Sequence, residues 1–132
     1  MTDTFHHVGL RVRDLDAAIG FYAEAFGFEL QQRHETFTGV RVAFVGRPTG
    51  ERLELFEITK GEDVPTWPHP DEALTSGFAH FALAVDDIEA AYGQAEAAGV
   101  RVLWAPRYAE PLKARTSYLA DPDNNLIELV GP

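Results

Sequence analysis

The chain has 132 residues, no cysteine and a formal charge of −10. This length fits one globular domain, or two small modules that share a core. Without cysteine, thiolate ligands and thiol nucleophiles are excluded, so a metal ion would need His, Asp or Glu ligands. The negative charge opposes nucleic-acid binding, since a polyanion would be repelled. No leader-like segment and no apolar run of membrane-spanning length is apparent, so we expect a cytoplasmic protein with no membrane partner.

The first part of the chain predicts the order βαβββ. Residues 5–12 alternate between apolar and polar positions, which is typical of a half-buried strand. Asp14 is a good N-cap, apolar residues recur at helical spacing over 15–26, and Gly27 suits a left-handed helix end. Three further strands are predicted at 28–34, 39–46 and 52–58.

The same order recurs in the second part of the chain. Residues 78–85 alternate as a strand, Asp87 caps a second helix and Gly99 ends it. Three strands are predicted at 101–104, 116–120 and 126–130, with an irregular stretch at 105–111. Superposing the two parts pairs His7 with His80, 73 residues apart, and Glu54 with Glu128, 74 apart. Internal duplication is the simplest interpretation.

The fold class predicted from this pattern is α+β, with two tandem βαβββ modules at 5–58 and 78–130 in one domain. The intervening residues 59–77 contain three prolines, at positions 65, 68 and 70, which prevent a continuous helix. We interpret this segment as a linker, with a functional flap as the alternative because it carries Trp67.

Strand alternation separates the two adjacent histidines of the first strand. His7 shares the polar face with Gly9 and Arg11, whereas His6 shares the apolar face. Glu54 lies opposite its leucine neighbours in the strand at 52–58, and His80 and Glu128 repeat the arrangement in the second module. Singly, each is an ordinary polar residue on an exposed sheet face. Together, the repeated His and Glu favour a metal site for Ni, Zn, Co, Mn or Fe.

At these motifs the sequence resembles the vicinal oxygen chelate superfamily, which includes glyoxalase I, methylmalonyl-CoA epimerase, extradiol dioxygenases and fosfomycin and bleomycin resistance proteins. The resemblance covers nearly the whole chain. Its carriers are HHVGLRVRDLDAAIGFYAEAFGFEL at 6–30, RLELFEI at 52–58, FAHFALAVDDIEAA at 78–91 and DPDNNLIELV at 121–130. It implies an eight-stranded, open-barrel cleft built from the paired modules and a homodimeric assembly. It also implies one divalent metal ion held by a glyoxalase-type set of four ligands, which here are His7, Glu54, His80 and Glu128.

By this resemblance the protein is a metal-dependent glyoxalase-like enzyme of the lyase or isomerase type. Such an enzyme chelates two adjacent oxygens of a small substrate and moves a proton through an enediolate. The resemblance suggests Glu128 as the base, with Glu54 as its counterpart, and leaves a thiol cosubstrate open. Arg11, Phe56 and Arg115 are candidate substrate-binding residues.

Two alternatives remain open at this point. One is a ring-cleaving Fe(II) dioxygenase that uses His7, His80 and Glu128, although a fourth ligand at Glu54 would reduce the open positions. The other is a non-catalytic protein that binds an antibiotic or another aromatic small molecule, for which a set of metal-type residues has no evident use.

Overall fold

The computed structural model describes residues 4–36, 38–60 and 76–132, and the chain divides into two compact units, Met1–Glu62 and Asp63–Pro132. The greater part of the predicted linker at 59–77, including Trp67, lies outside the described residues. We refer below to the first unit and the second unit, and each is described by itself.

The first unit contains one helix and a four-stranded mixed sheet. The strand order is β1-β4-β3-β2, in which β1 runs parallel to β4 and the other neighbours are antiparallel. This confirms the βαβββ order predicted from the sequence. The elements are β1 (Val8–Val12), α1 (Leu15–Phe26), β2 (Glu29–Glu35), β3 (Arg41–Gly46) and β4 (Arg52–Glu57).

Helix α1 begins and ends at the residues that the sequence predicts. The Asp14 carboxylate accepts a hydrogen bond from the Ala17 N–H at 3.0 Å, and Gly27 takes the left-handed conformation with φ 72°. A second carboxylate, that of Glu57 in β4, accepts from the N–H of Leu15 at 2.8 Å. The pKa of Glu57 is lowered from its ordinary value. The largest cause is the hydrogen bonding of the Arg41 guanidinium, and the second is the hydrogen bond from the Leu15 N–H. The end of β4 therefore stabilises the start of α1.

The second unit repeats this architecture. Its sheet has the order β5-β8-β7-β6, with β5 parallel to β8, and within the described residues neither four-stranded sheet closes into a barrel. The Asp87 carboxylate caps α2 through the Ala90 N–H at 3.1 Å. The elements are β5 (Phe81–Ala84), α2 (Ile88–Ala97), β6 (Arg101–Ala109), β7 (Ala114–Ala120) and β8 (Leu126–Gly131).

The prediction of an irregular stretch at 105–111 is wrong for most of these residues. Strand β6 continues from Arg101 to Ala109, and a short 3₁₀ helix follows at Glu110–Leu112. The strand is tolerated despite Pro106 because β6 is an edge strand, where a residue without an N–H need not break the ladder. Its pairing with β7 shifts register on both sides of Trp104.

One face of each sheet is apolar and packs on the helix of its own unit. Among the fully buried side chains are Leu15, Tyr22, Phe28 and Leu55 in the first unit and Ile88, Leu119, Ile127 and Leu129 in the second. Neither helix of the described residues has the length and apolar character of a membrane span. The opposite faces of the sheets carry the candidate site residues.

Candidate functional site

The first unit brings His7 and Glu54 together. His7 immediately precedes β1, which begins at Val8 rather than at residue 5 as predicted. Glu54 lies in β4 between the buried Leu53 and Leu55, as the alternation predicts. The His7 Nε2 and Glu54 Oε1 atoms are 3.5 Å apart, with side chains 33% and 16% exposed. Both are therefore accessible to a ligand while being held by the sheet.

His6 is exposed and contacts the other side of the His7 ring. The two Nδ1 atoms lie 2.8 Å apart, so one ring donates to the other. The Arg52 guanidinium, which can only donate, lies 3.0 Å from His6 Nε2. The His7 ring also meets Phe44 edge-on, with centroids 5.2 Å apart. The two adjacent histidines therefore have different contacts, since His7 faces the Glu54 carboxylate and His6 bonds to the His7 ring.

The second unit brings His80 and Glu128 together in a more buried setting. His80 precedes β5, and Glu128 lies in β8 between the buried Ile127 and Leu129. The His80 Nε2 and Glu128 Oε2 atoms are 3.0 Å apart, and the side chains are 27% and 10% exposed. The His80 Nδ1 atom is buried and has no hydrogen-bond partner among the described residues.

The two pairs occupy equivalent register positions in their sheets. The residue two positions after His7, Gly9, is the β4 partner of Glu54, and the residue two positions after His80, Ala82, is the β8 partner of Glu128. Each His therefore reaches its Glu across one pair of parallel strands.

Two hydroxyl groups near Glu128 were not singled out as site residues from the sequence. The Thr116 hydroxyl donates to Glu128 Oε1 at 2.7 Å, and the Tyr118 hydroxyl donates to Glu128 Oε2 at 3.1 Å and lies 3.1 Å from His80 Nε2. The signal was present in the strand TSYLA at 116–120, where Thr116 and Tyr118 fall on one face. They stand 74 residues after Val42 and Phe44, which is the offset that relates Glu54 to Glu128.

Two of the predicted substrate-binding residues line one cavity in the first unit. The cavity has a volume of about 570 Å³, and Arg11 and Phe56 are neighbours in its wall because they are register partners across β1 and β4. Lys60 supplies a second cation, and Val40 and Ile58 supply apolar surface. This combination suits a small molecule with an apolar part and an anionic group.

The third predicted residue, Arg115, belongs to the sheet of the second unit and lies on the face of that sheet opposite to Thr116 and Glu128. Arg115 and Thr116 are adjacent in β7, so their side chains point to opposite faces. Arg115 forms an ion pair with Glu89 of α2, on the helix side of the sheet, whereas Thr116 contacts Glu128. Arg115 is therefore left out of the proposed substrate site.

The donor atoms fit a divalent ion of the kind predicted. Imidazole nitrogens and carboxylate oxygens suit Zn, Ni, Co, Mn and Fe. Adjacent ligand atoms on an octahedral ion with bonds near 2.1 Å lie about 3 Å apart, which is close to the His–Glu separations of 3.5 and 3.0 Å. Among the described residues, however, no group of three or more His, Asp or Glu side chains is placed to bind an ion.

Comparison with known proteins identifies the family. The model of the Glyoxalase/Bleomycin resistance protein/Dioxygenase superfamily matches residues 4–129, and the chain belongs to this superfamily. It is 36% identical to the probable lactoylglutathione lyase of Vibrio parahaemolyticus over 94% of this chain and 87% of the relative. It is 33% identical to the lactoylglutathione lyase of Haemophilus influenzae over 94% and 89% of the two chains.

A solved structure gives the same assignment of fold. Glyoxalase I from Zea mays superposes with a TM-score of 0.75 at 26% identity, over 95% of this chain and 43% of that chain. The matched sequences and this structure together support an enzyme of the glyoxalase type.

Proposed function

We propose that the protein is a metal-dependent glyoxalase-like enzyme of the lyase or isomerase type. The observation that carries this proposal is the facing imidazole–carboxylate pair that recurs at equivalent register positions in both units. The similarity to lactoylglutathione lyases supports a substrate with two adjacent oxygens, such as an α-hydroxyacyl thioester or its α-oxo hemithioacetal isomer.

His7, Glu54, His80 and Glu128 would hold one divalent ion, of Ni, Zn, Co, Mn or Fe. When bound, such an ion supplies a Lewis acid that orients two adjacent substrate oxygens and lowers the cost of the negative charge that develops on them. A homodimer is also part of the proposal, in which the His7–Glu54 pair of one chain and the His80–Glu128 pair of the other would hold the ion.

The side chains of the chain itself bind the substrate and move the proton. The two isomers differ in the position of one carbon-bound proton and of one hydroxyl proton. A carboxylate of Glu54 or Glu128 would take the proton from one substrate carbon and return it to the neighbouring carbon through an enediolate, while the hydroxyl proton passes from one of the two adjacent oxygens to the other. The cation of Arg11 would attract an anionic group of the substrate, and the Phe56 ring would contact its apolar part. Glutathione as the thiol part of the substrate is one case that the assay below includes.

The first test measures metal content and turnover together. The metal-free protein is incubated with each of the five ions, and bound metal is measured by plasma mass spectrometry while interconversion of lactoylglutathione and its hemithioacetal isomer is followed. We expect the parent protein to bind about one ion per chain. We expect Glu54→Gln and Glu128→Gln to lower kcat by about 10²–10⁴-fold while the fold persists, because general base catalysis contributes about that much.

Glu29→Gln is the matched control, since it removes the same charge from an exposed position on β2, remote in sequence from the pairs. A parent protein that binds none of the ions would contradict the proposed function. An ion-loaded parent that is inactive on lactoylglutathione but active on another thioester would change the substrate and keep the reaction type.

A further inference from the structure

Three polar atoms of the second unit lie within hydrogen-bond range of one another. The His80 Nε2 and Glu128 Oε2 atoms are 3.0 Å apart, and the Tyr118 hydroxyl oxygen is 3.1 Å from each of them. The hydroxyl of Thr116 donates to the other oxygen of the Glu128 carboxylate at 2.7 Å. Each carboxylate oxygen of Glu128 therefore accepts a hydrogen bond from a hydroxyl group. A carboxylate on a side chain that is only 10% exposed needs such donors to offset its lost hydration.

The position of the Tyr118 hydroxyl is itself fixed by packing. The Tyr118 ring packs against Trp104 with centroids 4.6 Å apart, and the guanidinium carbon of Arg107 lies 4.1 Å from the Trp104 ring centroid. The hydroxyl of Ser117 donates to the Trp104 carbonyl at 2.9 Å. Because a tyrosine has few rotatable bonds, holding the ring also holds the oxygen.

The first unit has the same ring in the same place without the hydroxyl. Phe44 is the register partner of Glu54, as Tyr118 is of Glu128. The His7–Phe44 rings meet at 5.2 Å and 88°, and the His80–Tyr118 rings meet at 5.0 Å and 79°. Val42 likewise stands at the position of Thr116, two residues earlier in its strand. The ring contact is thus common to both units, and the two hydroxyls belong to the second unit alone among the described residues.

We infer that Thr116 and Tyr118 are positioning residues, a hydroxyl clamp that holds His80 and Glu128 at ligand separation before an ion binds. The second unit then supplies the preformed half of the metal site, and the first unit supplies a half that lacks these two hydroxyls. Metal ligands that are oriented by neighbouring hydrogen bonds bind more tightly because less ordering remains to be done when the ion arrives. This inference rests on the proposed function, since it needs the metal site formed by the two pairs.

Two nearly isosteric substitutions test the clamp. Tyr118→Phe removes one oxygen and keeps the ring, and Thr116→Val replaces a hydroxyl by a methyl group. Cobalt(II) is added to the metal-free full-length protein, and its dissociation constant is measured by competition with a chelator. We expect each substitution to weaken cobalt binding about 10-fold or more, in line with the effect of removing groups that orient metal ligands. The double variant should lose less than the sum of the two, because both hydroxyls act on one carboxylate.

Tyr92→Phe is the matched control. The Tyr92 hydroxyl also donates to a glutamate, Glu96 of α2, at 3.1 Å, but neither residue belongs to the proposed metal site. We expect this variant to bind cobalt with the affinity of the parent. The free energy of unfolding of every metal-free variant is measured beside it by chemical denaturation.

A clamp and a purely structural role give different results. If the hydroxyls only satisfy a buried carboxylate, Tyr118→Phe and Thr116→Val will be less stable than the parent, yet their cobalt dissociation constants will stay within about twofold of it. That outcome would overturn the inference and leave the proposed function intact. Failure of the parent itself to bind cobalt would instead remove the proposed function together with the clamp.

Discussion

The two units share a fold and differ in how they hold the same pair of residues. In the first unit, His7 Nε2 and Glu54 Oε1 are 3.5 Å apart, and Val42 and Phe44 stand where the second unit has Thr116 and Tyr118. In the second unit the corresponding distance is 3.0 Å, and two hydroxyls donate to Glu128. The duplicated fold therefore keeps the His–Glu pair at equivalent register positions while the neighbours in the adjacent strand change. The difference teaches that equivalent residues can receive different hydrogen bonds.

The largest expected effect is on metal affinity, when the histidine of one pair or of the other is removed. His80→Ala and His7→Ala should each weaken binding of a divalent ion by at least about 10³-fold, because a nitrogen ligand is lost outright. Plasma mass spectrometry after dialysis against buffered zinc measures the loss. We expect His80→Ala to retain less metal than His7→Ala, since it removes a ligand from the preformed half.

His34→Ala serves as the control for this prediction, because His34 is a half-buried histidine of β2 that hydrogen-bonds to Gln32 and stacks on Phe44 without contacting Glu54 or Glu128 directly. Retention of full metal content by either site variant would mean that its histidine is not a ligand.

The next largest effect is on the free energy of unfolding, and it compares the buried residues beside the His7–Glu54 and His80–Glu128 pairs. Leu55 and Leu129 directly follow Glu54 and Glu128 in their strands, and both are completely buried. Truncation to alanine should lower the free energy of unfolding by about 2–5 kcal/mol in each case. Denaturant titration of the metal-free protein measures the change. Two similar losses in a single transition would show that the units unfold together, and two separate transitions would show that they do not.

A smaller effect concerns the pH dependence of stability, because the starts of α1 and α2 are held by different groups. The Leu15 N–H at the start of α1 donates to the Glu57 carboxylate, whereas the equivalent Ile88 N–H donates to the main-chain oxygen of Pro132. Arg41 and the Leu15 N–H lower the pKa of Glu57 in the folded protein, so its stabilising effect is present above its ordinary value of 4.5 and is lost as the pH falls through the lowered value.

Glu57→Gln should therefore lower the free energy of unfolding by about 1 kcal/mol at pH 7. The difference from the parent should shrink as the pH falls below 4.5. Denaturant titrations at several pH values measure it, with Glu29→Gln as the control. A penalty that is the same at pH 7 and pH 3 would assign the effect to packing rather than to the charge.

The smallest expected effect is a gain in metal affinity from a substitution in the first unit. Phe44→Tyr places a hydroxyl at the position of Tyr118 and should tighten cobalt binding by about two- to fivefold, since one orienting hydrogen bond is added to a half-site that lacks it. The competition titration used for the clamp measures this change. In the swapped variant with Tyr118→Phe, the added hydroxyl should restore part of the lost affinity. Weaker binding by Phe44→Tyr than by the parent would show that the halves are not interchangeable.

Most of the fold was predictable because its signals are local. Asp14 and Asp87 as N-caps, Gly27 as a helix end and the alternation around Glu54 depend on neighbouring residues in the chain, and the structure confirms each of them. The continuation of β6 through Pro106 was not predictable in this way. A proline argues against a strand in general, and only the place of β6 at the edge of its sheet removes the objection.

The candidate site shows the same division. Sequence alternation and internal repetition pick out His7, Glu54, His80 and Glu128, since a strand period of two assigns faces without knowledge of the partner strands. By itself, then, the sequence determined the βαβββ order, the duplication and the candidate ligands. The tertiary structure decided which side chains surround them: the register of β7 against β8 puts Tyr118 beside Glu128, and the packing of α2 on the sheet pairs Arg115 with Glu89. Register and cross-element ion pairs depend on residues far apart in the chain, and for that reason they appear only when the strands are paired.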